Sequence, residues 1–315
     1  MLKRVVTGAV IFVLMCVGIV LQGWVLRLML LAAALTSMNE MYRAMKKSGA
    51  RPVEWAGYFS CTLAAFLQAA SAEFARAQAS AESASGSWAA ALNRVLPLEG
   101  VNAPAAALAA GLLLGLTAVV LRGKVDYDSL TATVVPMAYP GFLFSLMFSL
   151  QDFAPAALAT AALMLSFFLA SVNDVFALFS GMAFGRHRLS PEISPKKTIE
   201  GSVGGLIASV AFAALIAVVV DRLQGSMPFA LPCGFGAAGA EKVSFPPMAF
   251  AALGLVAGVF SQAGDLTASL VKRRFGVKDY GTIFPGHGGM MDRLDSVYWA
   301  TVVMYVYLTL NLFPV

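Results

Sequence analysis

Residues 203–220 read VGGLIASVAFAALIAVVV, a run without a charged side chain, bounded by Glu200 and Asp221. A helix needs about 20 largely apolar residues to cross a bilayer, where every backbone polar group must be satisfied internally. Comparable runs recur at 5–21, 24–41, 53–70, 104–121, 130–150, 156–172, 247–264 and 294–313. A transmembrane β-barrel would instead show alternating segments of about ten residues. The chain has 315 residues, 59% of them hydrophobic and 12% charged. Soluble domains carry about 25% charged residues, and disordered chains are poor in apolar ones. The expectation is an all-α polytopic integral membrane protein with about nine transmembrane helices.

The scarce charge is informative by position. Threading the nine segments through a membrane leaves only Arg76, Arg94, Arg222 and Lys242 on one side and Arg27 inside a span. All other Lys and Arg fall on the side of the N-terminus, which the positive-inside rule places in the cytoplasm. The basic balance therefore reports topology, and nucleic acid is not an expected partner. Met1-Leu2-Lys3-Arg4 before an apolar run lacks a small-residue cleavage site, so a retained first helix is expected. Cys16, Cys61 and Cys233 form no C-x-x-C pair, which argues against a disulfide framework or a zinc site. On this reading, 1–150 holds N-terminal helices with an external Ala/Ser-rich connection at 71–103. Residues 151–315 hold the catalytic region, with a further external Gly/Pro-rich connection at 222–246.

Two stretches on the cytoplasmic side, 173–205 and 261–298, concentrate the residues that carry chemistry. Asp174 lies in an apolar run from Phe153 to Gly185, too long for one span, so a helix end or break is expected near Asn173. An ionisable group at that depth reads as functional, the plain alternative being a carboxylate that only locks helices together. Asp265, Ser269 and Lys272 share one helix face by their i, i+4, i+7 spacing. Asp292 and Asp295, spaced i, i+3, also face one way at the start of an apolar segment. Such carboxylates suit Mg²⁺, which takes one or two of them and completes its shell with phosphate oxygens and water. Solvated helix ends with snorkelling cations are the alternative.

Pro285-Gly286-His287-Gly288-Gly289 precedes the helix start at Asp292, where backbone N–H groups can converge on an anion. Arg273 and Lys278 flank it. Ser194-Pro195-Lys196-Lys197-Thr198 offers a second grip on phosphate, although a topogenic loop would also carry its lysines. No P-loop, nucleophile elbow or H-E-x-x-H motif is present. What remains is metal-assisted phosphate chemistry at a bilayer surface.

The second stretch, Ser269-x-x-Lys272-Arg273, Lys278-Asp279, Pro285-Gly286-His287-Gly288-Gly289-x-x-Asp292-Arg293-x-Asp295, resembles the signature of the phosphatidate cytidylyltransferase (CDP-diacylglycerol synthase) family. The first resembles that family's Asn173-Asp174, Phe184-Gly185-Arg186, Ser194-Pro195-Lys196-Lys197-Thr198-x-Glu200-Gly201, Gly204-Gly205 segment. One departure is Leu178, where family members often carry Tyr. The resemblance implies a transferase of the cell (inner) membrane with its active site on the cytoplasmic side. It would join CTP and phosphatidic acid into CDP-diacylglycerol and pyrophosphate, as a homodimer of helical subunits that uses Mg²⁺, alone or with a second cation. Asp265, Asp292, Ser269 and Lys272 would be catalytic, with Asp265, Asp292 and Asp295 at the metal. Asp174, Ser194, Lys196, Lys197, Thr198, Arg273, Lys278, His287, Gly288 and Gly289 would bind substrate. The rival readings are another CTP-dependent lipid transferase, a polyprenol kinase, or a membrane transporter.

Overall fold

Apolar runs of this length satisfy their backbones as helices, and the computed structural model is built almost wholly of them. It describes residues 2–79, 102–123, 126–153, 155–224, 233, 244–284, 286 and 288–310. Much of the two connections expected outside the membrane, and His287 of the Gly-rich loop, lie outside the described residues.

The elements in chain order begin with α1 (Leu2–Leu21), α2 (Gly23–Lys46) and α3 (Glu54–Ala79). Next come α4 (Ala103–Val120), α5 (Tyr127–Pro136) and α6 (Leu143–Leu150), the last two joined by a π turn at Met137–Phe142. Then follow α7 (Ala156–Met164), a π turn at Leu165–Leu169, and α8 (Ala170–Phe184). A hairpin of β1 (Arg188–Ser190) and β2 (Ser194–Thr198) leads into α9 (Ile199–Leu223), α10 (Pro247–Arg274) and α11 (Met291–Leu310). Five described helical stretches are long and apolar enough to cross a membrane: Ala103–Val120, Tyr127–Leu150, Ala156–Phe184, Ile199–Leu223 and Pro247–Arg274.

The expected helix break at Asn173 is not found. Residues Ala156–Phe184 run on as helix, and the only irregularity described within them is the π turn at Leu165–Leu169. The physical reason is that Asn173 finds its partners off its own helix. Its Nδ2 donates to Ser209 Oγ at 2.9 Å and to the Gly258 carbonyl at 3.2 Å, and its Oδ1 accepts from Gln262 Nε2 at 3.0 Å. A polar side chain satisfied by neighbouring helices does not compete for its own backbone.

Two compact units are present. In residues 30–152, α3 packs on α4 through small residues, with Ser60 Oγ donating to the Ala107 carbonyl at 2.9 Å. The first N–H groups leading into α3 are met by hydroxyls: Arg51 N donates to Ser129 Oγ at 2.7 Å and Val53 N to Thr133 Oγ1 at 2.9 Å. Buried Val53, Ala56, Val119 and Met137 fill the space between.

The other unit comprises residues 1–29 and 153–315. Here α1 ends at Gln22 and Gly23, both left-handed with φ of 46° and 54°. The Gln22 amide offsets that strain by donating to Thr160 Oγ1 at 2.6 Å. Helices α8 to α11 pack side by side. Gly205 permits the close crossing of α9 on α8, since a Cβ there would sit 2.7 Å from Asn173 Oδ1. The hairpin is antiparallel, pairing Arg188 with Thr198 and Ser190 with Ser194. It hangs from the end of α8 and delivers β2 into the N-terminus of α9.

Candidate active site

A cavity of about 530 Å³ opens between α8, the hairpin, α9 and α10. Its polar lining includes Asp174, Lys196, Lys197, Ser202, Gln262 and Asp265, and its apolar lining includes Leu178, Met182 and Leu189. Arg186 and Arg188, both exposed, line it from the hairpin side. One space thus joins cations and carboxylates to an apolar wall.

Each polar group has a local reason for its place. Thr198 caps α9, its Oγ1 accepting from Gly201 N at 3.1 Å, so the end of β2 is tied to a helix N-terminus. Glu200 in the first turn of α9 holds the other end of the hairpin. Its Oε2 accepts from the Arg186 and His187 N–H groups at 3.0 and 3.2 Å, and its Oε1 is hydrogen-bonded to His187 Nδ1 at 2.7 Å. Beneath the cavity, Gln262 donates to the Ser202 carbonyl at 3.0 Å and accepts from the Ser202 hydroxyl. With Asn173 this network pins α8, α9 and α10 one turn from Asp265.

The carboxylates differ in what they already hold. Asp265 pairs with Lys197 through Oδ2 and accepts from Ser269 Oγ at 3.3 Å through Oδ1. Asp292, at the start of α11, accepts from Lys272 Nζ at 2.9 Å, Tyr280 N at 2.8 Å and Gly289 N at 3.0 Å. Asp295 is buried, with Oδ1 accepting from Ser296 N at 2.7 Å. Asp174, Asp265 and Asp295 lie close enough for their charges to act on one another, and Lys197, Arg293 and Lys272 supply opposing charge.

Tyr280 sits among these groups, outside the helices. Burial, and then the Asp295 and Asp292 charges, push its phenol well above the usual tyrosine range. It therefore stays protonated and donates to the Ala268 carbonyl at 2.9 Å.

Asp174, Lys196, Lys197, Thr198 and Asp265 therefore line one cavity. Ser269 reaches it through Asp265, whereas Lys272 is bonded to Asp292, and neither of these two is among the lining residues. Ser194 pairs across the hairpin with Ser190. Arg273 is placed differently: its Nε donates to the Ile193 carbonyl at 3.2 Å, holding the hairpin turn. Lys278 is exposed on the loop after α10. In the Gly-rich loop, the Gly289 N–H is taken by Asp292, and the Gly288 carbonyl accepts from Phe284 N at 2.9 Å. Gly288 needs to be glycine, with φ at 81° and a Cβ that would meet Asp292 Oδ2 at 2.9 Å. Gln262, Ser202 and Arg188 were given no role from the sequence, and Arg186 and Arg293 entered only as positions of the signature. The available signal was spacing, since Gln262 lies one turn before Asp265.

Among the described residues, no three His, Cys, Asp or Glu side chains close around a common point tightly enough to hold a metal ion. The donor set still suits one. Asp174 and Asp265 present hard carboxylate oxygens beside Lys196 and Lys197, and Mg²⁺ asks for only one or two such groups.

The sequence pattern of the cytidylyltransferase family fits residues 2–311. A phosphatidate cytidylyltransferase of Bacillus subtilis is 30% identical over 215 residues, covering 67% of this chain and 70% of that protein. One from Thermotoga maritima is 32% identical over 180 residues, covering 57% and 59%. One from Brucella abortus is 38% identical over 135 residues, covering 43% and 42%, so the matched stretch spans less than half of that relative. A pattern that fits nearly end to end, with relatives alike in sequence, places this chain in the cytidylyltransferase family.

Proposed function

We propose that the protein is an integral membrane CTP:phosphatidate cytidylyltransferase, making CDP-diacylglycerol and pyrophosphate. The observation that carries this reading is the shared cavity, in which Lys196, Lys197, Asp174 and Asp265 meet the apolar side chains of Leu178 and Met182. A lipid that carries a phosphate and a nucleotide that carries three need such a place. The names of the relatives point the same way. The charge asymmetry along the chain supports about nine spans, a cytoplasmic N-terminus and a site on the cytoplasmic side of the cell membrane. Residues 151–315 form the catalytic region in this reading, and the working form is a homodimer.

In the reaction, a phosphate oxygen of phosphatidic acid attacks the α-phosphorus of CTP. The new P–O bond forms as the bond to the β-phosphate oxygen breaks, and pyrophosphate leaves with the electron pair. The second pKa of a phosphate monoester is near 6, so the nucleophile is largely ionised at pH 7 without a dedicated base. Bringing two polyanions together is the harder task. Lys196 and Lys197 on β2 would screen that repulsion, with Lys197 exchanging Asp265 for phosphate. Asp265, Asp292 and Asp295 would hold Mg²⁺, with Asp174 beside them and Lys272 steadying Asp292. The ion would supply charge neutralisation on the pyrophosphate that leaves. Ser269 and Lys272 keep Asp265 and Asp292 in position and meet the phosphates. Ser194, Thr198 and Arg273 shape the hairpin that carries the lysines, and Lys278, His287, Gly288 and Gly289 are assigned to phosphate binding from their places in the signature.

The reading is tested with purified protein, phosphatidic acid and CTP labelled either in cytidine or at the γ-phosphate. Mg²⁺-dependent entry of cytidine into the lipid phase is the expected result. Entry of the γ-label would make the protein a lipid kinase instead, and solute flux without nucleotide would make it a transporter.

A further inference from the structure

The loop from Phe275 to Met290 carries an aromatic residue whose contacts go beyond holding the chain. Tyr280 is buried, its backbone N–H donates to Asp292 Oδ2 at 2.8 Å, and its hydroxyl donates to the Ala268 carbonyl on α10 at 2.9 Å. Both ends of the residue are therefore fixed, one to α11 and one to α10. Between them, the face of the ring lies 5.4 Å from Lys272 Nζ, which is itself 2.9 Å from Asp292 Oδ1. Lysine is a flexible four-carbon stem that ends in three donors. Without a lateral wall, that stem could turn its charge toward any of several carboxylates. Asp292 takes one donor, and the negative ring face holds the ammonium from the side. What remains of the charge acts on buried Asp295.

We propose that Tyr280 is a positioning residue for Lys272, fixing the ammonium against Asp292 through its ring face. The effect on the reaction rests on the cytidylyltransferase reading above; the hold on Lys272 does not. The ring is the working part, so Tyr280→Phe keeps the function and Tyr280→Leu loses it.

The test uses the full chain in detergent or proteoliposomes. Each variant is treated with an amine-acetylating reagent, and modification of Lys272 and of Lys46 is followed by mass spectrometry alongside turnover. Tyr280→Leu is expected to raise Lys272 labelling at least threefold, leave Lys46 unchanged, and lower kcat about tenfold with smaller changes in KM. Tyr280→Phe is expected to stay within threefold of the parent in both readouts. A merely structural role would lower the melting temperature without singling out Lys272. Unchanged Lys272 labelling in Tyr280→Leu overturns the proposal, as does raised labelling with unaltered kcat. If the parent protein transfers no cytidine, the reaction assignment fails, and the labelling ratio still decides whether Tyr280 holds Lys272.

Discussion

Asp265 and Asp292 looked equivalent in the sequence, as acids beside lysines, and the structure gives them different surroundings. Asp265 lines the cavity with Lys197 as its partner, whereas Asp292 holds Lys272 and two loop N–H groups. Lys197→Met should therefore weaken CTP binding, read as a KM raised at least tenfold with the protein still inserted in membranes. An unchanged KM would remove Lys197 from the site. Asn173 makes a complementary case. Replacing it with Leu takes one partner each from Ser209, Gln262 and the Gly258 carbonyl, and a lost intramolecular hydrogen bond costs about 0.5–1.5 kcal/mol. A lower thermal midpoint for Asn173→Leu in detergent is the expected outcome, and an unchanged midpoint would contradict the network. The spacing of Asp265, Ser269 and Lys272 was legible because a helix repeats every few residues. The bonds of Asp292 were not, since they depend on a loop whose path no periodicity encodes.

Among the elements, the hairpin is the one the apolar pattern concealed. Its strands are short and polar, and they read equally well as a loop. What fixes it is the pair of contacts at its base, Thr198 capping α9 and Glu200 bonded to Arg186 and His187. Glu200→Ala should free that base while leaving the cavity carboxylates in place. The expected result is a KM for CTP raised more than kcat is lowered, measured by steady-state kinetics; an equal fall in kcat with KM unchanged would place Glu200 elsewhere in the reaction. The helices were far easier to read, because uninterrupted apolar runs leave the backbone no other way to satisfy itself. The break expected near Asn173 rested on the length of the apolar run, but a helix can run on past a span's length when neighbouring helices satisfy its polar side chains. Gly205 shows what the run was packing against: a Cβ there would meet Asn173 itself. Gly205→Val should accordingly fail to accumulate as folded protein, whereas Val203→Leu, at an exposed position on the same helix, should accumulate normally.

For the whole molecule, scarcity of charge is the organising fact. With 12% of residues charged, the proposed topology has most cations marking one side of the membrane, and a few of them line the cavity. The proposed topology predicts that, in a background without Cys16, Cys61 and Cys233, cysteines placed at Ser48 and Ser190 react with an impermeant thiol reagent from the cytoplasmic side. One placed at Ser85 should react from the opposite side, and labelling of all three from one side would overturn the arrangement. The proposed chemistry rests on a smaller group, the acids facing Lys197 and Lys272. Removing a preorganised charged group from such a site typically costs 100-fold or more in turnover. The most direct measurement is cytidine transfer to phosphatidic acid by Asp265→Asn across a Mg²⁺ titration. A loss of at least 100-fold that saturating Mg²⁺ does not restore, in protein that inserts and melts like the parent, is the predicted result, and near-normal turnover would contradict the account.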